Sequence, residues 1–306
     1  MNRPLSKWLA ENPGGAVVVT ALLGLLPLRG VGLAFFLPGA VPALVTLVRG
    51  PRAGALVAAG AGLLLVVAVA LTGRPASIGL ISAAWLLVPP LLIAVLYART
   101  ESLSLCLQLA TLLCVGFLAA MHLSLGDPMH FWEPFVRALA EGVRQQDLPQ
   151  GVDKEELLEL LARTLWGWMA VLLLLQGMLA LFLARWLQTS PAHQGIFGAE
   201  FRQLRLGVVL GGAAGLVVVL ALFTQPLLID DLRSVFIAAL TLVGLAALHR
   251  AVVSGKLRRA WLWFTYIMLG LVVTAAPMVI VLAGWGFVDN WLRSQRVATT
   301  TAAGRH

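Results

Sequence analysis

Charged residues are scarce in this chain. Asp, Glu, Lys and Arg make up 12% of its 306 residues, whereas soluble domains carry roughly 25%. Hydrophobic residues reach 60%, and the mean hydropathy is +0.91. A soluble protein of this composition would expose large apolar patches to water. The composition therefore excludes an ordinary soluble domain and predicts a membrane protein.

Cysteine is scarce too, with only Cys106 and Cys114 present. Their separation along one predicted helix is ~12 Å, while a disulfide needs Cα atoms within about 7 Å, so no bridge joins them. No Cys or His spacing matches a metal site, and the sequence predicts neither a metal nor a cofactor. The histidines His122, His130 and His249 are predicted near helix ends, and His193 in a loop, as interfacial or hydrogen-bonded residues.

Catalytic and nucleotide-binding motifs are missing as well. The sequence has no Gly-rich phosphate loop, no nucleophile elbow and no HExxH. Polar residues within the apolar stretches are few; Gln176 lies in the middle of one stretch, and Gln225, Asp230 and Asp231 lie near the ends of others. They form no chain of buried acids and histidines that could relay protons. The sequence therefore predicts a protein that is not an enzyme.

Long apolar stretches are what the chain does have. A membrane-spanning helix needs about 17–25 apolar residues, and charged or Gly/Pro-rich joints separate the stretches. They predict an all-α polytopic membrane protein: a single integral membrane domain over 1–306, with a bundle of nine helices, or eight if one is miscounted. The predicted spans are 13–28, 31–48, 53–72, 77–96, 102–122, 164–184, 206–223, 232–248 and 261–284. A tail is predicted over 286–306.

The distribution of Lys and Arg predicts a cytoplasmic N-terminus, retained because no cleavage site follows it, in a bacterial inner membrane. With this orientation, twelve basic residues lie inside and six outside once 123–163 is left out. Arg29 is then outside, Arg49 and Arg52 are inside, and nine spans would leave Arg293 outside. The net charge of +8 is explained by joints that face anionic lipid, so membrane lipids and not nucleic acid are the expected partners.

The segment 123–163 is predicted to be an external amphipathic helical hairpin. Asp127 and Pro128 are typical of a helix start, and apolar residues then recur on one helical face. Asp153 and Glu156 resemble a capping box that opens a helix continuing into the next span. Two interpretations remain: a structural hairpin on the membrane surface, or a lid with Phe131, Trp132 and Phe135 on its underside.

Small residues recur every four positions in two helices, which favours close helix packing in lipid. The two sets are Gly54, Ala58 and Gly62, and Gly207, Gly211 and Gly215. Packing within the chain and a docking face for a partner are both compatible with this pattern.

Two parts of the chain resemble known families. The C-terminal motifs FGAEFRQLRLG (197–207), AALHRAV (246–252) and GFVDNWLRSQR (286–296) resemble the YybS-like family of bacterial membrane proteins, over nearly the whole chain. The stretch 38–65, with its Gly-Pro-basic-x-Gly turn, is similar to helices two and three of S components of energy-coupling-factor transporters, so 13–122 would hold S-component-like helices one to five. S components usually have six helices, fewer than are predicted here, so 164–285 would add further C-terminal helices.

The S-component resemblance implies that the loop 27–39 faces outward and helps to enclose a small ligand. The expected ligand-binding residues are Arg29, Phe35, Phe36, Trp132, Asp230 and Asp231. The simpler alternative is a hairpin whose arginine reaches the lipid headgroups. We expect either a transporter or solute-binding subunit for a small molecule, energised by a partner or gradient, or a non-transporting scaffold or assembly factor. The scaffold would dock a cytoplasmic protein through Arg49, Arg52, Arg202, Arg205, Arg258 and Arg259.

Overall fold

A computed structural model describes residues 4–125, 128–144, 154–188, 194–223 and 226–303. These residues form thirteen α-helices and a 3₁₀ turn at Gly32–Ala34, with no strand among them. In chain order the helices are α1 Pro4–Glu11, α2 Pro13–Leu28, α3 Leu37–Arg49, α4 Pro51–Ala70, α5 Ala76–Thr100, α6 Leu103–Leu125, α7 Pro128–Arg144, α8 Lys154–Gln188, α9 Gln194–Arg202, α10 Gly207–Phe223, α11 Leu227–Val253, α12 Ala260–Gly270 and α13 Val272–Ala303.

The prediction of an all-helical membrane protein is confirmed, whereas the count of eight or nine spans is not. Six helices of the described chain are long and apolar enough to cross a membrane, and the bent pair α9–α10 raises the count to seven. The six are Pro51–Ala70, Ala76–Thr100, Leu103–Leu125, Leu158–Gln188, Leu227–Val253 and Val273–Arg293. Apolar helices α2, α3 and α12 are shorter than this limit.

Local chemistry explains the difference in count. The predicted span 31–48 begins with the 3₁₀ turn Gly32–Ala34, which lies between Gly30 and Pro38. Helix α3 therefore starts only at Leu37 and has 13 residues. The predicted span 261–284 is interrupted at Leu271, whose backbone is extended, which leaves α12 with 11 residues. The predicted tail 286–306 instead continues α13 to Ala303.

Helices α3, α8 and α11 form the centre of the bundle. Helix α3 packs against α2, α4, α5 and α8, and α8 also packs against α6, α7 and α11. Residues Pro38–Thr46 of α3 are all buried. The outer helices expose leucine, valine and isoleucine along their length, which in a membrane-spanning bundle is the surface that contacts lipid.

Close approaches between backbones fix several helix pairs. A Cβ added at Gly54 would lie 2.8 Å from the Pro42 carbonyl oxygen, and one at Gly244 would lie 2.7 Å from the Leu282 carbonyl carbon. Real Cβ atoms essentially never come this close, so α3–α4 and α11–α13 need these glycines.

The predicted small-residue sets do not all lie at such contacts. Gly211 lies against the Asn290 side chain and Gly215 lies 3.2 Å from the Phe287 ring, measured from an added Cβ. Ala58 is buried, and Gly62 makes only ordinary contacts. Gly207 differs, because it has φ +84° at the start of α10.

The two ends of the bundle can be told apart by their polar contacts. We call them the Arg29 end, which holds Arg29, His122 and Asp231, and the Arg185 end, which holds Arg185 and Arg250. At the Arg185 end the Arg185 guanidinium donates to both oxygens of Glu200, at 2.6 and 3.1 Å, and the Tyr97 hydroxyl donates to the same carboxylate at 2.7 Å.

The direction of α13 corrects the predicted position of Arg293. Asp289 pairs with Arg250, and the Asn290 side chain accepts hydrogen bonds from the backbone N–H groups of Leu206 and Gly207 at 2.8 and 3.0 Å. Arg293 is therefore at the Arg185 end, together with Arg205 and Glu200. The nine-span arrangement placed it at the opposite end because it counted 261–284 as one complete crossing.

Candidate functional site

A cavity of about 290 Å³ lies between α2, α5 and α8, near the Arg29 end. We call it the Trp85 cavity. Its lining residues are Pro27, Leu28, Phe35, Ile81, Ser82, Trp85, Leu86, Met169, Leu172 and Gln176. Ser82 and Gln176 are the polar residues among them, so the walls favour an apolar guest with one or two hydrogen-bonding groups.

Two prolines in α5 shape one wall of this cavity. Pro89 and Pro90 have no N–H, so the carbonyls of Trp85 and Leu86, four residues earlier, lose their helical partners. The Gln176 side-chain amide donates to both carbonyls, at 2.8 and 3.0 Å. Gln176 is only 1% exposed. A buried glutamine from α8 thus replaces the hydrogen bonds that the prolines remove, as membrane helices require.

Replacing Gln176 by leucine should destabilise the protein by about 1–3 kcal/mol, because two buried carbonyls would lose their donor. The measurement is the thermal unfolding midpoint in detergent. The same substitution in a Pro89→Ala/Pro90→Ala background is the control, since alanine N–H groups can bond those carbonyls within α5. An equal loss of stability in both backgrounds would contradict this account.

The rim of the Trp85 cavity is apolar and open. Ile81 is 69% exposed, and Leu172 and Leu28 are also exposed. These residues lie on or at the end of apolar helices of the bundle, so the mouth of the cavity opens on its apolar outer surface near the Arg29 end.

A row of aromatic rings leads from the Trp85 cavity to α7. Trp85 contacts Phe117 at 5.5 Å between ring centroids, and Phe117 contacts Trp166 at 5.9 Å. Trp132 of α7 lies 4.8 Å from Trp166, and Phe131 lies 5.1 Å from it. The amphipathic helix α7 is thus held on the bundle by aromatic contacts with α8.

A histidine–carboxylate pair is buried next to this aromatic row. His122 Nε2 lies 2.8 Å from Asp231 Oδ2, and their side chains are 13% and 3% exposed. Gly167 makes room for the carboxylate, because an added Cβ would lie 2.6 Å from Asp231 Oδ1. Ionisable groups within a membrane bundle are costly unless paired, and this pair joins α6 to α11.

The six predicted ligand-binding residues are not gathered around one cavity. Phe35 lines the Trp85 cavity, and the Phe36 ring packs edge-on against the Phe35 ring, with 5.6 Å between the ring centroids. Arg29 is exposed and directly follows the lining residue Leu28. Trp132 packs on Trp166 instead. Asp231 pairs with His122, and Asp230 forms an exposed pair with Arg233 at 3.1 Å. Both carboxylates therefore have partners elsewhere and do not line this cavity.

Sequence reasoning did not select Ser82, Trp85, Met169 and His122 as site residues. The available signal was the Pro89–Pro90 pair together with Gln176, a polar residue in an apolar stretch. The predicted features at Asp127, Asp153, His193 and Gln225 lie outside the described residues.

The predicted docking arginines divide into two groups. Arg52, Arg258 and Arg259 are exposed, while Arg202 and Arg205 are partly buried. Arg49 is exposed, but its guanidinium donates to the Ala10 carbonyl at 3.2 Å. The Arg202 backbone carbonyl accepts a hydrogen bond from Arg250 at 2.5 Å. Both residues therefore make contacts within the bundle.

Within the described residues no group of three His, Cys, Asp or Glu side chains could hold a metal ion. Cys106 and Cys114 are free and buried.

These observations define the class of the protein: an integral membrane protein built from apolar helices that contact lipid. No family model, curated protein or solved structure matches the chain.

Proposed function

We propose that this membrane protein binds a small amphipathic molecule in the Trp85 cavity, as the solute-binding part of a transport system. The observation that carries the proposal is the cavity itself, where the helical hydrogen bonding of α5 is interrupted. Its volume of about 290 Å³ is close to the ~300–1,000 Å³ of small-molecule sites. Transporter binding sites commonly form where membrane helices are interrupted in this way.

The chemistry of the walls defines the class of ligand. An apolar body fits against Phe35, Trp85 and Met169, and Ser82 offers one hydroxyl for hydrogen bonding. Arg29 directly follows the lining residue Leu28 and is exposed. A guanidinium there suits a carboxylate or phosphate at the polar end of the ligand. The proposed ligand is therefore an anionic amphiphile with a short apolar chain.

The proposed energy source lies outside this chain, because the sequence has no ATPase motif. In this proposal α7 covers the neighbouring aromatic row while the ligand enters from the outer leaflet. Helix α7 is amphipathic and rests on Trp166 through Phe131 and Trp132, which supports a surface position for it.

Tryptophan quenching tests the proposal. Decanoate brominated near its chain end should quench the purified protein in a saturable way, and Trp85→Phe should remove part of that quenching. Arg29→Gln should weaken binding at least about 10-fold, since hydrogen bonds to charged groups contribute about 1.5–3 kcal/mol. Arg74→Gln is the matched control, because Arg74 is also exposed and does not line the cavity.

The uncharged analogue, brominated decanol, should bind wild type and Arg29→Gln equally. Identical quenching in wild type and Trp85→Phe would exclude the cavity as the site. Equal effects of Arg29→Gln and Arg74→Gln would exclude a specific role for Arg29.

A second candidate function, a scaffold that docks a cytoplasmic protein, is favoured by the exposed Arg52, Arg258 and Arg259 at the Arg185 end. It would be supported by a crosslinked partner that survives Arg29→Glu but is lost with Arg258→Glu/Arg259→Glu. That outcome, together with quenching by brominated decanoate that does not saturate, would favour the scaffold over the first proposal.

A further inference from the structure

A second cavity, polar in character, lies at the Arg185 end of the bundle. We call it the Arg293 cavity; its volume is about 280 Å³. It lies between the α5–α6 joint, the segment from α9 to α10, and α13. Its lining residues are Glu101, Ser102, Leu103, Ser104, Glu200, Gln203, Arg205 and Arg293. It is at the opposite end from the Trp85 cavity, so a ligand bound here would not depend on the function proposed for that cavity.

Specific contacts fix the walls of the Arg293 cavity. Ser104 Oγ donates to the Gln203 carbonyl at 3.3 Å and accepts from the Arg205 N–H at 3.2 Å. Glu101 ends α5 with φ +51°, the left-handed conformation that non-glycine residues rarely adopt. A left-handed residue is a common way for a helix to end, and here it sets the direction of the chain between α5 and α6.

The lining of the cavity carries two arginines and two glutamates, and one of these carboxylates is paired with an arginine outside the lining. Both oxygens of Glu200 accept hydrogen bonds from Arg185, so the charge of this carboxylate is compensated. Among the described residues no carboxylate lies within ion-pair distance of Arg205 or Arg293, although the charge of Asp289 acts on Arg293 from one helical turn away. Glu101 is the remaining acid, and it is exposed.

Arg293 also holds an unused donor. Its Nη1 atom is buried and has no hydrogen-bond partner in the described structure. Buried guanidinium donors are expensive to leave unpaired, and their planar geometry suits oxyanions. Asp289, one helical turn earlier, is already bound by Arg250, although its Oδ2 is also buried without a partner.

We propose that the Arg293 cavity binds a phosphate group, which the Arg205 and Arg293 guanidinium groups contact and the Ser102 hydroxyl and Gln203 amide help to orient. Phosphate accepts several hydrogen bonds at once and compensates the unpaired positive charge. The phosphate belongs either to the headgroup of an anionic phospholipid or to a water-soluble phosphate ester.

Thermal unfolding in detergent distinguishes these sources. The probes are phosphatidylglycerol, with phosphatidylcholine as its control, and glycerol phosphate, with glycerol as its control. A probe whose concentration is about 100 times its dissociation constant should raise the unfolding midpoint by about 5 °C. A shift with phosphatidylglycerol alone identifies a lipid site, and a shift with glycerol phosphate identifies a site for a soluble ester.

The variants Arg293→Gln and Arg205→Gln should each lose most of this shift, and Arg293→Lys should keep part of it. Arg52→Gln is the matched control, because Arg52 is exposed and does not line the cavity. It should respond like wild type. Native mass spectrometry should show the retained probe on wild type and Arg52→Gln but not on Arg293→Gln.

Three results would overturn the proposal. One is the absence of a shift with either phosphate-bearing probe on wild type, which would mean that Arg293 completes its hydrogen bonds on Asp289. Another is an unchanged shift in Arg293→Gln and Arg205→Gln. The third is an equal shift with phosphatidylcholine, which would show a general effect of lipid on the micelle.

Discussion

Gly286→Ala is expected to destabilise the protein strongly, whereas Gly284→Ala, two residues earlier on α13, is not. A Cβ added at Gly286 would lie 2.8 Å from the Gly244 nitrogen and nearer still to the Leu240 carbonyl oxygen. Both atoms belong to the backbone of α11, which cannot rotate out of the way as a side chain can. Helices α11 and α13 would have to separate at their crossing.

The expected cost is about 3 kcal/mol or more, at the upper limit for overpacked sites, which corresponds to a midpoint lower by about 6 °C or more. At Gly284 an added Cβ would meet no atom within 4 Å. Alanine there should be neutral or stabilise by up to about 1 kcal/mol through helix propensity. Similar unfolding midpoints for the two variants would show that the close crossing of α11 and α13 is not maintained in the purified protein.

The glycines at this crossing could not be selected from the sequence. The four-residue repeats of small residues selected Gly54 and Gly211, which do lie against neighbouring helices. They did not select Gly244 or Gly286, because neither belongs to a repeat. A single glycine is essential only when the backbone of another helix lies against it. The sequence does not show which backbone lies there, because the facing residues of α11 and α13 are some 40 positions apart in the chain.

The fold class could be predicted because the bilayer constrains composition so strongly. The number of spans could not, because hydropathy does not reveal where a helix ends inside an apolar stretch. Leu271 interrupts a continuous apolar run with one extended residue. Glycines and prolines around the 3₁₀ turn shorten α3 in a similar way.

The Trp85 cavity itself was not predicted, and the predicted ligand site shares with its lining only Phe35 and the start of the 27–39 loop. Gln176 stood out in the sequence as a polar residue inside a span, but its partners are carbonyls 90 and 91 residues away. His122 and Asp231 were likewise noted as separate residues near helix ends, and 109 positions separate them. Contacts over such distances depend on how the helices pack, which periodicity does not determine.

The pair of His122 and Asp231 gives the second large expected effect. His122→Leu would leave the Asp231 carboxylate buried without its partner, 3% exposed and enclosed by α6, α8 and α11. Leaving a buried carboxylate without its partner costs about 3–5 kcal/mol when the carboxylate stays ionised. We therefore expect the unfolding midpoint to fall by about 6–10 °C for a chain of this size. The measurement is thermal unfolding in detergent, with far-UV circular dichroism to confirm that the variant is helical before heating.

Two further variants separate pairing from burial alone. The double variant His122→Gln/Asp231→Asn keeps a hydrogen bond without charge, so it should recover most of the stability and remain within about 1.5 kcal/mol of wild type. Asp230→Asn is the matched control, because the neighbouring Asp230 forms only an exposed pair with Arg233, and such pairs contribute about 0–1 kcal/mol. If His122→Leu proved no more harmful than Asp230→Asn, the carboxylate of Asp231 would have to be solvated or protonated in the native protein. The contact between α6 and α11 would then depend on apolar packing alone.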